Sequence, residues 1–200
     1  MKTIMLGGIV GGFILFMWGW LAWTVLPLHT SSFRSLENED PVIEAMRTSI
    51  PQKGVYGFPG MPVVSDEIAA QDQQVAMDAW EAKYQRGPVG IIIYDPQGSS
   101  PTMPAQMVVG CIISILSASL ASWLLSRSTA VASSFISRVA FCGTLGIFLS
   151  VGTHLLNWNW MNYPLDYTTS LVADAVLGWL LAGLGIAAVV KVNNGTSQPA

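Results

Sequence analysis

Residues 4–28 read IMLGGIVGGFILFMWGWLAWTVLPL, and this stretch contains no charged side chain. About 20 consecutive apolar residues are enough for a helix to cross the hydrocarbon core of a bilayer. The stretch is longer than the apolar part of a secretory signal peptide, and no small-residue cleavage site follows it at residues 29–31. We therefore predict that residues 1–28 are an uncleaved signal anchor and the first of several membrane-spanning helices.

Three further apolar blocks follow, and like the first they lack Lys and Arg: Ala105 to Leu125, Val139 to Leu156 and Thr168 to Val190. Only 10% of the chain is charged, against roughly 25% in an ordinary soluble domain. The sequence thus predicts an all-α transmembrane protein, a bundle of four membrane helices. Residues 29–104 are expected to form a small α/β domain inserted between helices 1 and 2, residues 105–191 to hold helices 2–4, and residues 192–200 to form a tail.

The orientation of the helices follows from the basic residues that flank them, since Lys and Arg near the ends of a span are retained in the cytoplasm. These residues all fall on one side of the predicted membrane: Lys2, Arg127, Arg138 and Lys191. The short loop predicted on the opposite side, Asn157 to Tyr167, has no Lys or Arg. We predict that both termini are cytoplasmic and that residues 29–104 lie outside.

The polar segment 29–104 has regular helix and strand signals. Asp40 followed by Pro41 predicts the N-cap of a short helix that ends before Pro51. Gly54 to Phe58 and Val89 to Tyr94 are strand candidates that we expect to pair, and a second helix is predicted between them, from Ser65-Asp66-Glu67 to Gly87-Pro88. Because two strands alone are marginally stable, this domain is expected to lean on the bundle, the membrane surface or a partner.

Small residues recur at helical spacing in every span, which lets the backbones of membrane helices approach each other closely. The residues predicted to pack helix against helix are Gly7, Gly8, Gly11 and Gly12 in the first span, Gly110 and Ser114 in the second, Gly146 and Ser150 in the third, and Gly178 and Ala182 in the fourth. Tryptophans near the predicted membrane boundary are interpreted as interfacial anchors, with stacking on a ligand as the alternative. They are Trp18, Trp20, Trp23, Trp158 and Trp160.

Asp174 is the only carboxylate inside the predicted spans, and an ionisable residue at such a position is a functional hypothesis by default. It lies four residues before Gly178, and His154 lies four residues after Ser150, so both are expected to face the bundle. We predict an intramembrane polar pair of Asp174 and His154. A structural role that fixes helix register, hydration of Asp174 near the interface, a packed or interfacial His154, and a proton or ligand role all remain open.

Catalytic, cofactor-binding and metal motifs are absent from the sequence. Two histidines and no C-x-x-C or H-E-x-x-H exclude the usual metal sites, and no nucleophile elbow, phosphate loop or dinucleotide fingerprint occurs. Haem ligation by His29 and His154 is a remote alternative, because a hydrated loop position explains His29 more simply. Cys111 and Cys142 are expected at different depths and therefore reduced. A net charge of −3 argues against nucleic acid, and Asn194-Gly195-Thr196 falls in the predicted cytoplasmic tail.

Several short motifs together resemble a family of small bacterial inner-membrane proteins with four helices. They include Trp18-Gly19-Trp20, Val25-Leu26-Pro27-Leu28-His29, Gly54-Val55-Tyr56, Gly87-Pro88, Trp158-Asn159-Trp160 and Asp174 with Gly178-Trp179. The resemblance implies a bacterial inner membrane and carries no activity with it.

With no catalytic constellation, we expect a non-enzymatic accessory or assembly subunit of a larger membrane complex. Its partners would be the lipid bilayer and another membrane protein or further copies of itself. The alternative is a small oligomeric transporter or channel that uses Asp174 and His154 as a polar relay, and an enzyme that acts on lipid is a third hypothesis.

Overall fold

The structure is a computed structural model that describes residues 1–65, 67–128 and 130–191. Asp66 and the predicted tail with Asn194 lie outside the described residues. Contacts divide the chain into two units. The helical unit consists of residues 1–34 and the chain from Ser100 onward, and the inserted domain is Ser35–Ser99. The inserted domain is therefore narrower than the predicted 29–104, since His29 to Arg34 group with the helices.

The helical unit contains α1 (Lys2–Thr24), and the inserted domain holds α2 (Glu39–Ser49), β1 (Gly54–Phe58), α3 (Ala70–Arg86) and β2 (Gly90–Tyr94). The chain then returns to the helical unit with α4 (Pro104–Arg127), a 3-10 turn (Val131–Ser133), α5 (Phe135–Leu149), a π-helical turn (Ser150–Leu155), α6 (Leu156–Trp160) and α7 (Leu165–Val189). From Phe135 to Trp160 the third helix is continuous. Among the described residues four helices are long and apolar enough to span a membrane, as predicted.

Two predicted span boundaries were wrong. α1 ends at Thr24 rather than at Leu28, because Pro27 has no N–H to continue the helix and disfavours helical geometry at the residue before it. The third helix continues beyond Leu156 to Trp160, and α7 begins at Leu165, so the loop between them is residues 161–164 rather than 157–167. Asn162 adopts a left-handed φ of 54° there, which allows the short reversal.

The four long helices pack in the order α4, α1, α7, α5, with few contacts between α4 and α5. An apolar core lies where α4, α5 and α7 approach each other, and it consists of Ala118, Ala121, Leu125, Cys142, Ala182, Ile186 and Val190. Arg138 is buried beside this core and donates from Nε to the carbonyl of Ala187 at 3.0 Å, near the C-terminus of α7. This contact places a cation at the negative end of the helix dipole. Cys111 and Cys142 are both free.

Small residues line the contacts between these helices. Gly7, Gly8, Gly11 and Gly12 are buried in α1, and a Cβ added at Gly12 would lie 2.6 Å from the backbone nitrogen of Ile115 on α4. Other predicted packing residues are also buried: Gly146, Ser150, Gly178 and Ala182. The remaining two, Gly110 and Ser114 on α4, are only half-buried.

In the inserted domain both helices begin at residues other than the predicted ones. α2 begins at Glu39 with Asn38 at the N-cap, which places Asp40 in the first turn rather than at the cap, where its charge still favours the helix dipole. α3 begins at Ala70. Ser65 caps a preceding turn instead, because its hydroxyl accepts the N–H of Glu67 at 3.1 Å and its carbonyl accepts the N–H of Ile68.

The predicted strand pair is confirmed. β1 and β2 are antiparallel with Val55 opposite Ile93 and Gly57 opposite Ile91. Lys53 and Asp95 extend the pair with a 2.6 Å bond from Nζ to the carboxylate, which holds the pKa of the Asp95 carboxyl below its usual range. No described residue between Ser35 and Ser99 is buried. The domain therefore has two strands and two helices but no closed core of its own.

Candidate functional site

Asp174 lies on α7, and its carboxylate joins two other parts of the helical unit. Its Oδ1 accepts the indole N–H of Trp18 on α1 at 2.6 Å, and the same N–H lies 3.1 Å from the Asp174 carbonyl. Its Oδ2 lies 3.2 Å from Nε2 of His29. The Asp174 side chain is 18% exposed. Both carboxylate oxygens thus have a nitrogen partner, which is the arrangement that a poorly hydrated carboxylate requires.

His29 reaches Asp174 because the chain turns sharply after α1. The N–H groups of Val25 and Leu26 both bond to the carbonyl of Leu21, and the carbonyl of His29 accepts the N–H of Phe33 at 2.9 Å. The imidazole stacks on Trp23 with ring centroids 3.9 Å apart and an interplanar angle of 14°. His29 is only 3% exposed. The interpretation of His29 as a hydrated loop residue was therefore wrong.

The chain beyond His29 follows α7 in the opposite direction. Ser32 donates to the hydroxyl of Ser170 at 3.3 Å, and Arg34 donates to Asp166 at 2.7 Å. Asp166, Ser170 and Asp174 are spaced by four residues and so share one face of the helix. The segment 29–34, which we call the docked segment, is thus held along the first turns of α7 by three successive polar contacts.

His154 lies in the π-helical turn of the third helix, and π-helical turns in α-helices are frequent at functional sites. The sequence predicted Asp174 as its partner. Nevertheless, no hydrogen bond joins the two side chains within the described parts of the chain, and Nδ1 of His154 is buried without a partner. The hydrogen-bonded partners of Asp174 are Trp18 and His29, in place of the predicted His154.

The structure separates the predicted interfacial tryptophans into two groups. Four of them are well exposed: Trp20 at 43%, Trp23 at 45%, Trp158 at 46% and Trp160 at 73%. Trp18 is half-buried and hydrogen-bonded to Asp174, so its indole N–H is engaged within the helical unit.

The contacts of Trp18 and His29 with Asp174 were not predicted from the sequence. One signal was Gly178, four residues after Asp174, because a Cβ there would lie 2.8 Å from Cδ1 of Trp18. A glycine one turn from a buried carboxylate therefore leaves room for a large ring to reach it.

A groove of about 450 Å³ lies beside Trp18, between α1 and α7. Its lining is apolar: Phe13, Ile14, Met17, Trp18, Trp20, Leu21, Leu181 and Leu184. Neither Asp174 nor a histidine is part of this lining, so the polar site does not open into the groove.

No group of three or more His, Cys, Asp or Glu side chains is placed to hold a metal ion within the described residues. Comparison with known protein families, with characterised proteins and with solved structures found no match.

Proposed function

We propose that this protein is a non-enzymatic accessory or assembly subunit of a larger membrane complex, and that the inserted domain binds the partner. The observation that carries the proposal is the lack of any buried residue among the described residues of Ser35–Ser99. A domain of this size normally buries more than half of the surface that its unfolded chain exposes. A second protein surface would supply the missing burial.

One face of the two-stranded sheet is the best candidate for the contact. Val55 and Ile93 are directly opposite each other and are 70% and 80% exposed, and Ile91 beside them is 39% exposed. We call these three side chains the aliphatic face. Exposed contiguous apolar surface of this kind is typical of interaction sites.

The charge of the inserted domain indicates the kind of partner. Residues 35–99 contain ten acidic and four basic residues, a net charge of −6. Two copies of the domain would repel each other, and an anionic membrane surface would repel it as well. The charge therefore favours a different protein that presents an apolar patch surrounded by Lys and Arg.

We also propose on which side of the membrane the inserted domain lies. The basic residues Lys2, Arg127 and Lys191 flank the ends of the long helices, and they favour cytoplasmic termini with the inserted domain on the opposite side of the membrane. With the motif resemblance, this supports the inner membrane of a bacterium, with the partner bound in the periplasm.

Purification of the tagged full chain from native membranes in mild detergent tests the proposal. We expect a stoichiometric partner that is lost when Val55 and Ile93 are both replaced by Ser. The matched control is Val75→Ser, which changes a 62% exposed valine on α3 and should leave the complex intact. Recovery of the wild-type chain only as a monomer or homo-oligomer would contradict the accessory role.

A specific observation also favours a second candidate, a small transporter or channel with a polar relay. Nε2 of His29 lies 3.2 Å from the Asp174 carboxylate, and His29 and His154 each have a buried Nδ1 with no partner among the described residues. Proton flux into liposomes that contain the purified chain tests this candidate. We expect flux that Asp174→Asn abolishes while the helix content is unchanged, whereas an absence of flux in the wild type would exclude it.

A further inference from the structure

Asp174 restricts the hydrogen positions on the ring of His29. An ionised carboxylate only accepts hydrogen bonds, so the 3.2 Å contact between Oδ2 and Nε2 requires the hydrogen to be on Nε2. Trp18 donates to the other oxygen at 2.6 Å, so that oxygen is also an acceptor. In the neutral ring, Nδ1 then has no hydrogen and carries a free lone pair.

That lone pair is unusual because it is buried. His29 is 3% exposed, and Nδ1 has no hydrogen-bond partner within the described residues. Stacking on Trp23 fixes the plane of the ring, so Nδ1 cannot easily turn toward another group. A carboxylate that holds one ring nitrogen and leaves the other free is the arrangement by which proteins orient a histidine base.

We propose that His29 is a proton-binding site, with Nδ1 as the atom that accepts the proton and Asp174 as the residue that positions the ring. A hydronium ion from the bulk solvent gives its proton to Nδ1 and becomes water, while Nε2 keeps its hydrogen, which gives an imidazolium beside the carboxylate. If the Nε2 proton then moves to Oδ2, the ring returns to neutrality with its hydrogen on Nδ1. One proton has then entered at Nδ1 and one has reached Asp174, so the charges balance.

The groups around the ring of His29 come from α7 and α1. α7 contributes the Asp174 carboxylate, and α1 contributes the neutral indoles of Trp18 and Trp23, the latter with its face against the imidazole. Arg34 and Asp166 neutralise each other two turns away on α7. A polar relay through Asp174 would use this ring, whereas the accessory role does not depend on it.

The test uses the full chain in lipid nanodiscs with ¹⁵N-labelled histidine, which gives signals from only two rings. Spectra of His154→Gln and of His29→Gln assign the two sets of signals. If one variant does not fold, the other variant and the wild type together are enough for the assignment. When the ring of His29 is neutral, we expect its hydrogen to be on Nε2. Acidification should move only Nδ1 into the protonated range.

Asp174→Asn should shift His29 toward the tautomer with hydrogen on Nδ1, because the Asn amide can donate to Nε2. The matched control is Asp166→Asn, which changes an exposed carboxylate of α7 and should leave the tautomer unchanged. A neutral wild-type ring with its hydrogen on Nδ1 would overturn the proposal. So would a ring that stays neutral until the protein unfolds, or a tautomer that Asp174→Asn does not alter.

Discussion

Asp174 is the residue on which the packing of three segments depends. Its carboxylate receives the indole N–H of Trp18 from α1 and faces Nε2 of His29 from the docked segment. A single side chain on α7 therefore contacts both α1 and the docked segment. This fits a structural role at the least, and the free Nδ1 of His29 adds a chemical one.

We expect Asp174→Leu to destabilise the helical unit more than Asp174→Asn does. Leucine leaves Nε2 of His29 without its carboxylate partner and leaves the Trp18 N–H only the backbone carbonyl of residue 174, whereas asparagine keeps one side-chain oxygen that accepts from Trp18. An interhelical hydrogen bond in a membrane contributes about 0.6 to 2 kcal/mol, so the loss should weaken the unit without unfolding it. Denaturant unfolding of the purified variants in detergent measures the difference.

Asp166→Leu is the control for this prediction, because the Arg34–Asp166 pair is exposed and worth about 0 to 1 kcal/mol. Equal stability of Asp174→Leu and wild type would mean that the carboxylate faces water rather than Trp18 and His29.

The sequence revealed Asp174 but not its neighbours, and the reason is physical. A carboxylate in an apolar run stands out against its surroundings, so its position alone marked it. Its partner His29 comes from a turn whose path depends on the end of α1 at Thr24 and on tertiary contacts with Trp23 and α7. Helical spacing pointed to His154, which has no hydrogen bond to Asp174 among the described residues.

At the scale of elements, the contact between α1 and α4 depends on glycine. A Cβ at Gly12 would lie within 2.6 Å of the backbone nitrogen of Ile115, and the backbone of α4 cannot move aside as a side chain could. The four glycines were recognisable from their spacing, because small residues at every fourth position are typical of close helix pairs. The helix that these glycines face could not be recognised from the sequence, because the three other spans contain similar stripes of small residues.

We expect Gly12→Ala to cost about 1 to 3 kcal/mol by overpacking this contact. Gly19→Ala is a matched control in the same helix, because a Cβ at Gly19 would meet no atom within 4 Å. The control should be neutral or stabilising by up to about 1 kcal/mol, as alanine is the better helix former. Thermal unfolding of both variants decides the point, and equal effects would argue against the close α1–α4 approach.

The strands and helices of the inserted domain were predicted from turn signals, although the starts of α2 and α3 were not. Capping residues are interchangeable over a few positions, so the sequence marks a helix better than its first residue. The lack of buried residues in this domain was not readable from the sequence, because burial depends on how the helices close over the sheet.

Residues 35–99 expressed alone should therefore be marginally stable. Few apolar side chains leave water when this segment folds, and a two-stranded sheet adds little. We expect a broad, non-cooperative thermal transition by circular dichroism. A sharp transition would show that the domain has a core that closes without a partner.

For the whole molecule, composition and the length of the apolar blocks were sufficient to predict four long helices. Their packing order, with α1 between α4 and α7, was not predictable, because helices in a membrane associate through local shape rather than through an amphipathic pattern. Everything proposed for the inserted domain depends on its lying on the opposite side of the membrane from the basic helix ends.

Reporter fusions test that claim most directly, with a reporter that is active only in the cytoplasm joined to the full or truncated chain. We predict activity for fusions after Arg127 and Ala200, and none for fusions after Asp78 in the inserted domain or Asn162 in the loop before α7. Activity after Asp78 would contradict the account, because the inserted domain would then share the cytoplasmic side with Lys2, Arg127 and Lys191.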